Sequence, residues 1–90
     1  MAPGVRRFRG MGTDPEVLLR ASLVEAREAA GLTQTELARR LGKPQSYISK
    51  IETGERRIDL VELVELLEAI PVDVRSFIDG FLRKRRPEGG

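Results

Sequence analysis

A group of hydrogen-bonding side chains lies near the middle of the chain, between a proline and a glycine. Its members are Gln45, Ser46, Tyr47, Ser49 and Lys50. If this segment is helical with Ile48 and Ile51 facing inward, all of these side chains take outward positions. Amide, hydroxyl and ammonium groups can hydrogen-bond the edges of nucleic-acid bases, so the segment is a candidate base-reading surface.

The composition gives little support to other kinds of chemistry. The chain has no cysteine and no histidine, which removes disulfides, thiolate and imidazole catalysis and the usual zinc sites. The glutamates and serines are scattered over predicted helices, with no base beside a nucleophile. We therefore expect no enzyme activity, metal or cofactor. No apolar run approaches the roughly 18 residues of a membrane span, and the lack of cysteine fits a reducing compartment, so we expect a cytoplasmic protein. If the candidate surface described above reads DNA bases, the protein would also be nucleoid-associated.

The net charge of +2 conceals a segregation of charge along the chain. Residues 33–57 carry six basic and three acidic side chains, whereas residues 58–82 carry one basic and six acidic side chains. Both ends of the chain are basic. A polyanion would therefore meet the middle and the ends of the chain rather than the acidic segment after Asp59. Charged runs of this kind are also compatible with ordinary solvated faces.

Apolar spacing and helix-end signals predict an all-α chain of five helices. They lie between Thr13 and Gly31, Thr33 and Gly42, Pro44 and Gly54, Asp59 and Pro71, and Asp73 and Leu82. Pro15 suits a first helical position, and the pairs Thr33–Glu36 and Asp59–Glu62 have the spacing of capping boxes. The side chains expected to face the core are, helix by helix, Leu19, Leu23, Ala26 and Ala30; Leu37, Ala38 and Leu41; Ile48 and Ile51; Leu60, Leu63, Leu66, Leu67 and Ile70; and Val74, Phe77, Ile78, Phe81 and Leu82.

The predicted domain spans residues 13–82 and is flanked by two basic segments. Residues 1–12 are expected to form a disordered arm, whose Arg6–Arg9 could enter a minor groove. Residues 83–90 are expected to form a disordered tail, whose Arg83–Arg86 could contact phosphates or an acidic partner. For both ends, a purely solubilising role is the alternative.

The second and third predicted helices have the spacing of a helix-turn-helix over about residues 34–53. Ala38 is small where the two helices must pass closely, and Gly42 follows where the turn needs a positive φ. Ile48 and Ile51 would lock the third helix onto the second. Any small helical bundle could contain these four residues, so this pattern alone leaves that alternative open.

Three stretches around this pattern carry a family resemblance, namely Gly31–Ala38, Leu41–Gly42 and Gln45–Gly54. The sequence closely resembles the XRE family, the Cro and phage-repressor type of regulator, from about Leu19 to Ile78. The resemblance implies a five-helix lambda-repressor-like fold with the helix-turn-helix at the second and third helices. It also implies sequence-specific binding of double-stranded DNA by a bacterial or phage-type transcriptional regulator.

The resemblance further implies roles for individual residues. Gln45, Ser46 and Lys50 stand where family members read bases in the major groove. Phosphate contacts are implied for Gln34, Lys43, Tyr47, Thr53, Arg56 and Arg57. Arg27 and Glu52 stand where the family has a structural pair that ties the first helix to the end of the third. As alternatives, Tyr47 could pack over the base of the third helix, and either loop arginine could simply be solvated.

Two prolines depart from the family pattern. Pro44 stands at the cap of the third helix, where serine or threonine is usual, and it has no capping oxygen. The start of that helix could therefore shift by one residue. Pro71 stands where the family commonly has glycine, so the corner between the fourth and fifth helices could differ.

One recognition helix reads few base pairs, so we expect a homodimer on a palindromic operator, acting as an autoregulating repressor. The apolar side chains expected at the dimer interface are Val61, Val64, Phe77, Ile78 and Phe81. Alternatively, the fifth helix could close the monomer core over Val17, Ala21 and Val24. Alternative roles are the antitoxin of a toxin–antitoxin pair, with the toxin as partner, and a restriction–modification controller. A protein-interaction adaptor on a helix-turn-helix scaffold is an alternative of another class.

Overall fold

The computed structural model describes residues 14–85, and within them five α-helices are joined by short turns. The helices are α1 Pro15–Ala29, α2 Gln34–Leu41, α3 Gln45–Thr53, α4 Leu60–Ala69 and α5 Val74–Arg85. The predicted all-α, five-helix fold is confirmed for this part of the chain. The predicted arm at 1–12, and residues 86–90 of the predicted tail, lie outside the described residues. Across residues 14–85, no helix combines the length and hydropathy that crossing a membrane requires.

Side-chain caps begin α1, α2, α4 and α5 at Asp14, Thr33, Asp59 and Asp73. At α2, Thr33 Oγ1 accepts from the Glu36 N–H at 3.0 Å, and the Glu36 carboxylate accepts from the Thr33 N–H at 2.8 Å. This backbone hydrogen bond holds the pKa of Glu36 below its usual value, because the charged carboxylate is the better acceptor. The helix starts are thus encoded locally, each by residues within one turn.

A single apolar core lies between the helices. Its buried side chains are Leu23, Leu37, Ala38, Ile48, Ile51, Leu63, Leu66, Leu67, Ile70 and Phe77. Ala38 is only 2% exposed at the point where α2 packs on α3. Gly42 makes the turn between them with a φ of +69°, and the next N–H, of Lys43, donates to the Ala38 carbonyl at 2.9 Å. The closed turn and the shared core hold α3 in a fixed position on α2.

Three side chains expected in the core are on the surface, namely Ala30, Leu60 and Leu82, of which Leu82 is 44% exposed near the end of the fifth helix. Ala30 follows the last residue of α1 and is exposed. Leu60 is 71% exposed because it is the first residue of α4, one turn before the buried Leu63. The prediction was wrong at all three positions because apolar spacing identifies a helix face, but not how far along the helix its neighbours reach.

Helix α5 packs on α1 and closes the core of the monomer. Phe77 is 9% exposed and belongs to the core, which leaves little of its side chain for the expected dimer interface. Its neighbour Ile78 packs partly against the same core, and Phe81 is half-buried. The fifth helix therefore helps to complete the monomer, but not over the three residues expected in that alternative, because Val17 and Ala21 are exposed and only Val24 is partly buried.

The last turn of α5 includes Arg83–Arg85, which were predicted to belong to a disordered tail. That prediction was wrong at these three positions. Lys84 donates to the Glu25 carboxylate of α1 at 2.9 Å, and Arg83 pairs with Asp79 one turn earlier. The prediction treated residues 83–90 as an isolated charged segment. In the structure, these ion pairs connect the last turn of α5 to α1 and to the preceding turn of α5.

Candidate nucleic-acid interface

Helix α3 has one face in the core and the other face open. Ile48 and Ile51 are 1% and 3% exposed, so they fix the orientation of the helix. Gln45, Ser46 and Lys50 are all exposed on its outer surface. The structure thus brings the three predicted base-reading residues together on one short helix whose inner face is rigidly held.

Pro44 determines where α3 begins. It takes extended backbone angles, supplies no side-chain cap, and is followed by Gln45 as the first helical residue. The Pro44 carbonyl accepts from the Tyr47 N–H at 2.9 Å. Gln45 therefore leads the helix and Ser46 follows it. Like the first N–H groups of any helix, those of Gln45 and Ser46 have no intrahelical acceptor and give this end a partial positive charge.

Arg27 and Glu52 form a buried ion pair between α1 and α3. Arg27 Nε and Nη2 donate to the two Glu52 oxygens at 2.7 and 3.1 Å, and Nη1 donates to the Leu32 carbonyl at 2.7 Å. The side chains are 10% and 9% exposed. Hydrogen bonding to Glu52 raises the pKa of Arg27, although burial acts against the charged form. The pair ties α1 to the end of α3.

Gln34 extends this pair to the outer surface of α3. Its Nε2 donates to Glu52 Oε1 at 2.7 Å, and its Oε1 accepts from Gln45 Nε2 at 2.6 Å. The Gln34 side chain was expected to contact a phosphate, but in the structure both ends of its amide are engaged within the protein. We refer to Arg27, Glu52, Gln34 and Gln45 as the glutamine relay, because it connects a buried ion pair to the first side chain of α3.

Tyr47 lies between two cations beside α3. Lys43 Nζ is 5.2 Å and Arg56 Cζ 4.8 Å from the centroid of its ring. Such contacts attract because the face of an aromatic ring is electronegative. Partial burial raises the pKa of the Tyr47 hydroxyl. The ring is therefore packed against the protein, as in the alternative considered from the sequence.

Arg56 is held in place by Glu62 of α4. Its Nη1 and Nη2 donate to the two Glu62 oxygens at 3.1 and 2.8 Å, and Nη1 also donates to the Arg57 carbonyl. This guanidinium, followed by the Asp59 N–H, lowers the pKa of Glu62 to about 2. Arg56 is thus paired within the protein rather than freely solvated. Glu62 was recognised in the sequence only as a capping residue, since nothing local signals its contact with Arg56.

The remaining predicted phosphate ligands lie at the two ends of α3. Lys43 precedes the helix and is exposed. Thr53 is its last residue, with Oγ1 donating to the Lys50 carbonyl at 3.3 Å. Arg57 lies in the loop that follows and pairs with Glu16 of α1 at 3.1 Å. Cationic and hydroxyl groups therefore lie at both ends of the exposed surface of α3. There they could contact the two phosphate backbones that border a nucleic-acid groove.

Comparisons with known proteins place this geometry in context. Residues 23–77 match the family model described as Helix-turn-helix. The chain is 36% identical over 59 residues to an HTH-type transcriptional regulator, y4dJ, of Sinorhizobium fredii, and the match covers 66% of this chain and 77% of that protein. The structure is similar, with a TM-score of 0.77 and 37% identity, to an XRE-family-like protein from Pseudomonas syringae pv. tomato. That likeness covers 87% of this chain and 95% of the other.

Proposed function

The chain belongs to the XRE-type helix-turn-helix family of DNA-binding transcriptional regulators, and from this premise we propose that it binds one specific double-stranded DNA sequence with α3 in the major groove. The observation that carries the proposal is the outer surface of α3, where Gln45, Ser46 and Lys50 are exposed on a helix with a buried inner face. A major groove admits one α-helix and presents a distinct hydrogen-bonding pattern for each base pair.

Of these three residues, Gln45 has the side chain that is already oriented for base recognition. Its Nε2 has two hydrogens, of which one is donated to Gln34, so the second hydrogen and Oε1 stay available. A glutamine amide uses one donor and one acceptor to bind the N6 and N7 edge of adenine. Because the glutamine relay already orients the amide, less side-chain freedom is lost on binding.

The phosphate contacts in this proposal lie at the ends of α2 and α3. The backbone N–H of Gln34 lies at the start of α2, where the positive end of the helix dipole favours a bound anion. Lys43, Thr53 and Arg57 lie at either end of α3 and would lie along the backbone. Arg56 acts by holding Tyr47 rather than by binding phosphate.

Footprinting on the DNA that flanks the gene for this protein tests the proposal. We expect a protected site for the wild type, and for Lys50→Ala a loss of about 1–3 kcal/mol confined to operators with the matching base. Arg75→Ala, which removes an exposed cation of α5, is the matched control and should not change the footprint. A loss for Lys50→Ala that is uniform over operator variants would show that Lys50 does not read a base.

The homodimer on a palindromic operator, repressing its own promoter, stays part of the proposal in revised form. With Phe77 in the core, the surface that supports an interface is at the start of α4, where Leu60 and Val61 are 71% and 65% exposed and Val64 is partly exposed. Ile78 and Phe81 can add only the parts of their side chains that the core leaves open.

Sedimentation of the DNA-free protein tests the dimer. Val61→Asp should shift the mass toward that of a monomer, because it places a charge in an apolar interface. Val17→Asp, at another exposed valine, is the control and should leave the mass unchanged. A wild-type mass of one chain at tens of micromolar would contradict a stable dimer, and protection of a single half-site would contradict a palindromic operator.

A further inference from the structure

A cleft of about 130 Å³ lies between α1, the end of α3 and the loop that follows α3. Its apolar lining includes Leu23 and Ile51 from the core, and its charged lining consists of Arg20, Arg56, Arg57 and one carboxylate, Glu16. Three guanidinium groups from two parts of the chain therefore meet at one opening, beside the end of the helix that carries the base-reading residues.

Arg20 lies in this cleft with its guanidinium group against the loop. A Cβ atom at Gly54 would be 2.8 Å from Cζ and 3.0 Å from Nε of Arg20, so the guanidinium group lies directly against this glycine and would have to shift if position 54 carried a side chain. Within residues 14–85, Arg20 has no ion-pair or hydrogen-bond partner. Glu16, one turn earlier on α1, is paired with Arg57 instead.

The charges around the cleft are unequally compensated. Arg56 is neutralised by the two oxygens of Glu62, and Arg57 by Glu16. The pair between Arg57 and Glu16 is exposed on both sides, at 81% and 47%, and such pairs contribute little to stability. Arg57 is therefore free to exchange Glu16 for another anion, and Arg20 has no ion-pair partner among residues 14–85.

We propose that Arg20 and Arg57 form a binding site for a phosphate oxyanion at the mouth of this cleft, and that a DNA-backbone phosphate occupies it when α3 is in the major groove. The identification of the phosphate as part of DNA rests on the proposed function, whereas the existence of the anion site does not. A guanidinium presents its donors in a rigid fork that matches two phosphate oxygens. The guanidinium fork of Arg20 already lies beside the loop, in the space that Gly54 leaves open, while Arg57 moves onto the anion.

The dependence of DNA affinity on salt tests the inference, with a mixed-sequence duplex as the probe. Each neutralised phosphate contributes about 0.9 to the slope of log K against log salt concentration. Arg20→Gln should reduce that slope by about this amount and weaken binding severalfold on every duplex sequence. Arg75→Gln, an equal change of charge on α5, should leave the slope unchanged. Arg20→Lys, which keeps the charge but loses the fork, should fall between the wild type and Arg20→Gln.

The outcomes separate this inference from the proposed function. If the wild type shows salt-dependent binding and Arg20→Gln behaves as Arg75→Gln does, the backbone contact is wrong although the proposed function stands. If the wild type itself does not bind DNA, the proposed function is wrong, and a DNA phosphate cannot be the anion that occupies the site. Far-UV circular dichroism of each variant checks that the helices are intact.

Inorganic phosphate, added to the DNA-free protein, tests the site independently of DNA. We expect phosphate to raise the Tm of the wild type above its value in chloride of equal ionic strength, and Arg20→Gln to abolish the difference. If phosphate raises the Tm of the wild type but Arg20→Gln leaves the salt dependence of DNA affinity unchanged, the site binds a free anion. That result would overturn the claim that a DNA phosphate occupies the site. Equal Tm values in the two salts, together with an unchanged slope, would overturn the site.

Discussion

Removing the Glu52 carboxylate should be among the most destabilising single changes in this domain. Glu52→Ala deletes the acceptor of two hydrogen bonds from Arg27 and one from Gln34. It leaves Arg27, 8% exposed, with the Leu32 carbonyl and the exposed Glu28 carboxylate at 4.0 Å. Breaking a buried ion pair by removing one partner typically costs about 3–5 kcal/mol. Since both side chains retain an exposed edge, we expect about 3 kcal/mol, a large part of the roughly 5–15 kcal/mol that such domains possess.

A double-mutant cycle by urea denaturation measures this pair directly. Because Arg27→Met with Glu52→Ala leaves no unpaired charge, the double variant should lose about 2 kcal/mol less than the sum of the single changes. Glu25→Ala is the control: it breaks the exposed pair with Lys84 and should cost less than about 1 kcal/mol. If the coupling is below about 0.5 kcal/mol, or Glu52→Ala costs no more than Glu25→Ala, the structural role given to this pair is wrong.

Three further changes test the packing, each by denaturant unfolding. Gly54→Ala and Gly42→Ala should each cost roughly the 1–2 kcal/mol expected at a positive φ, because the Arg20 guanidinium that a Cβ at Gly54 would meet is the end of a flexible side chain and can move aside. A negligible cost at either position would contradict the left-handed backbone of these two turns. Ser22→Ala should leave stability unchanged or raise it by up to about 1 kcal/mol, since the buried Ser22 hydroxyl has no partner within residues 14–85; a large loss would reveal one. Glu62 has a depressed pKa of about 2, so its contribution to folding stability is fully present above its unfolded pKa near 4.5 and is lost as the pH falls toward 2. Glu62→Gln should therefore be less stable than the wild type at pH 7. A stability difference that persists at pH 2 would contradict the pairing of Glu62 with Arg56.

The features that the sequence predicted well are those encoded within one or two helical turns. The capping boxes, the turn glycine Gly42 and the inward face of α3 depend on residues close together in the chain, whose preferences are set by backbone geometry and local hydrogen bonds. The family resemblance then identified which outward face of which helix was of interest. Neither step required knowledge of long-range contacts.

The features that the sequence did not predict depend on residues far apart in the chain. Gln34 meets Glu52 across 18 positions, and Lys84 meets Glu25 across 59, so neither contact has a local signal. Phe77 is apolar, and its type does not distinguish a core position from an interface. For the same reason Arg20 was not recognised in the sequence, because its significance arises only from its packing on Gly54.

Selection of duplexes from a random-sequence pool tests most directly the claim that α3 reads base sequence. The wild type should enrich one motif, and Gln45→Ala, still folded by circular dichroism, should enrich the same motif with the preference lost at one base pair of each half-site. That single lost preference is what the amide of Gln45, held by Gln34 at the start of α3, predicts. If the wild type binds the pool without enriching any motif, or Gln45→Ala enriches an unchanged motif, the assignment of base reading to α3 and its first residue is contradicted.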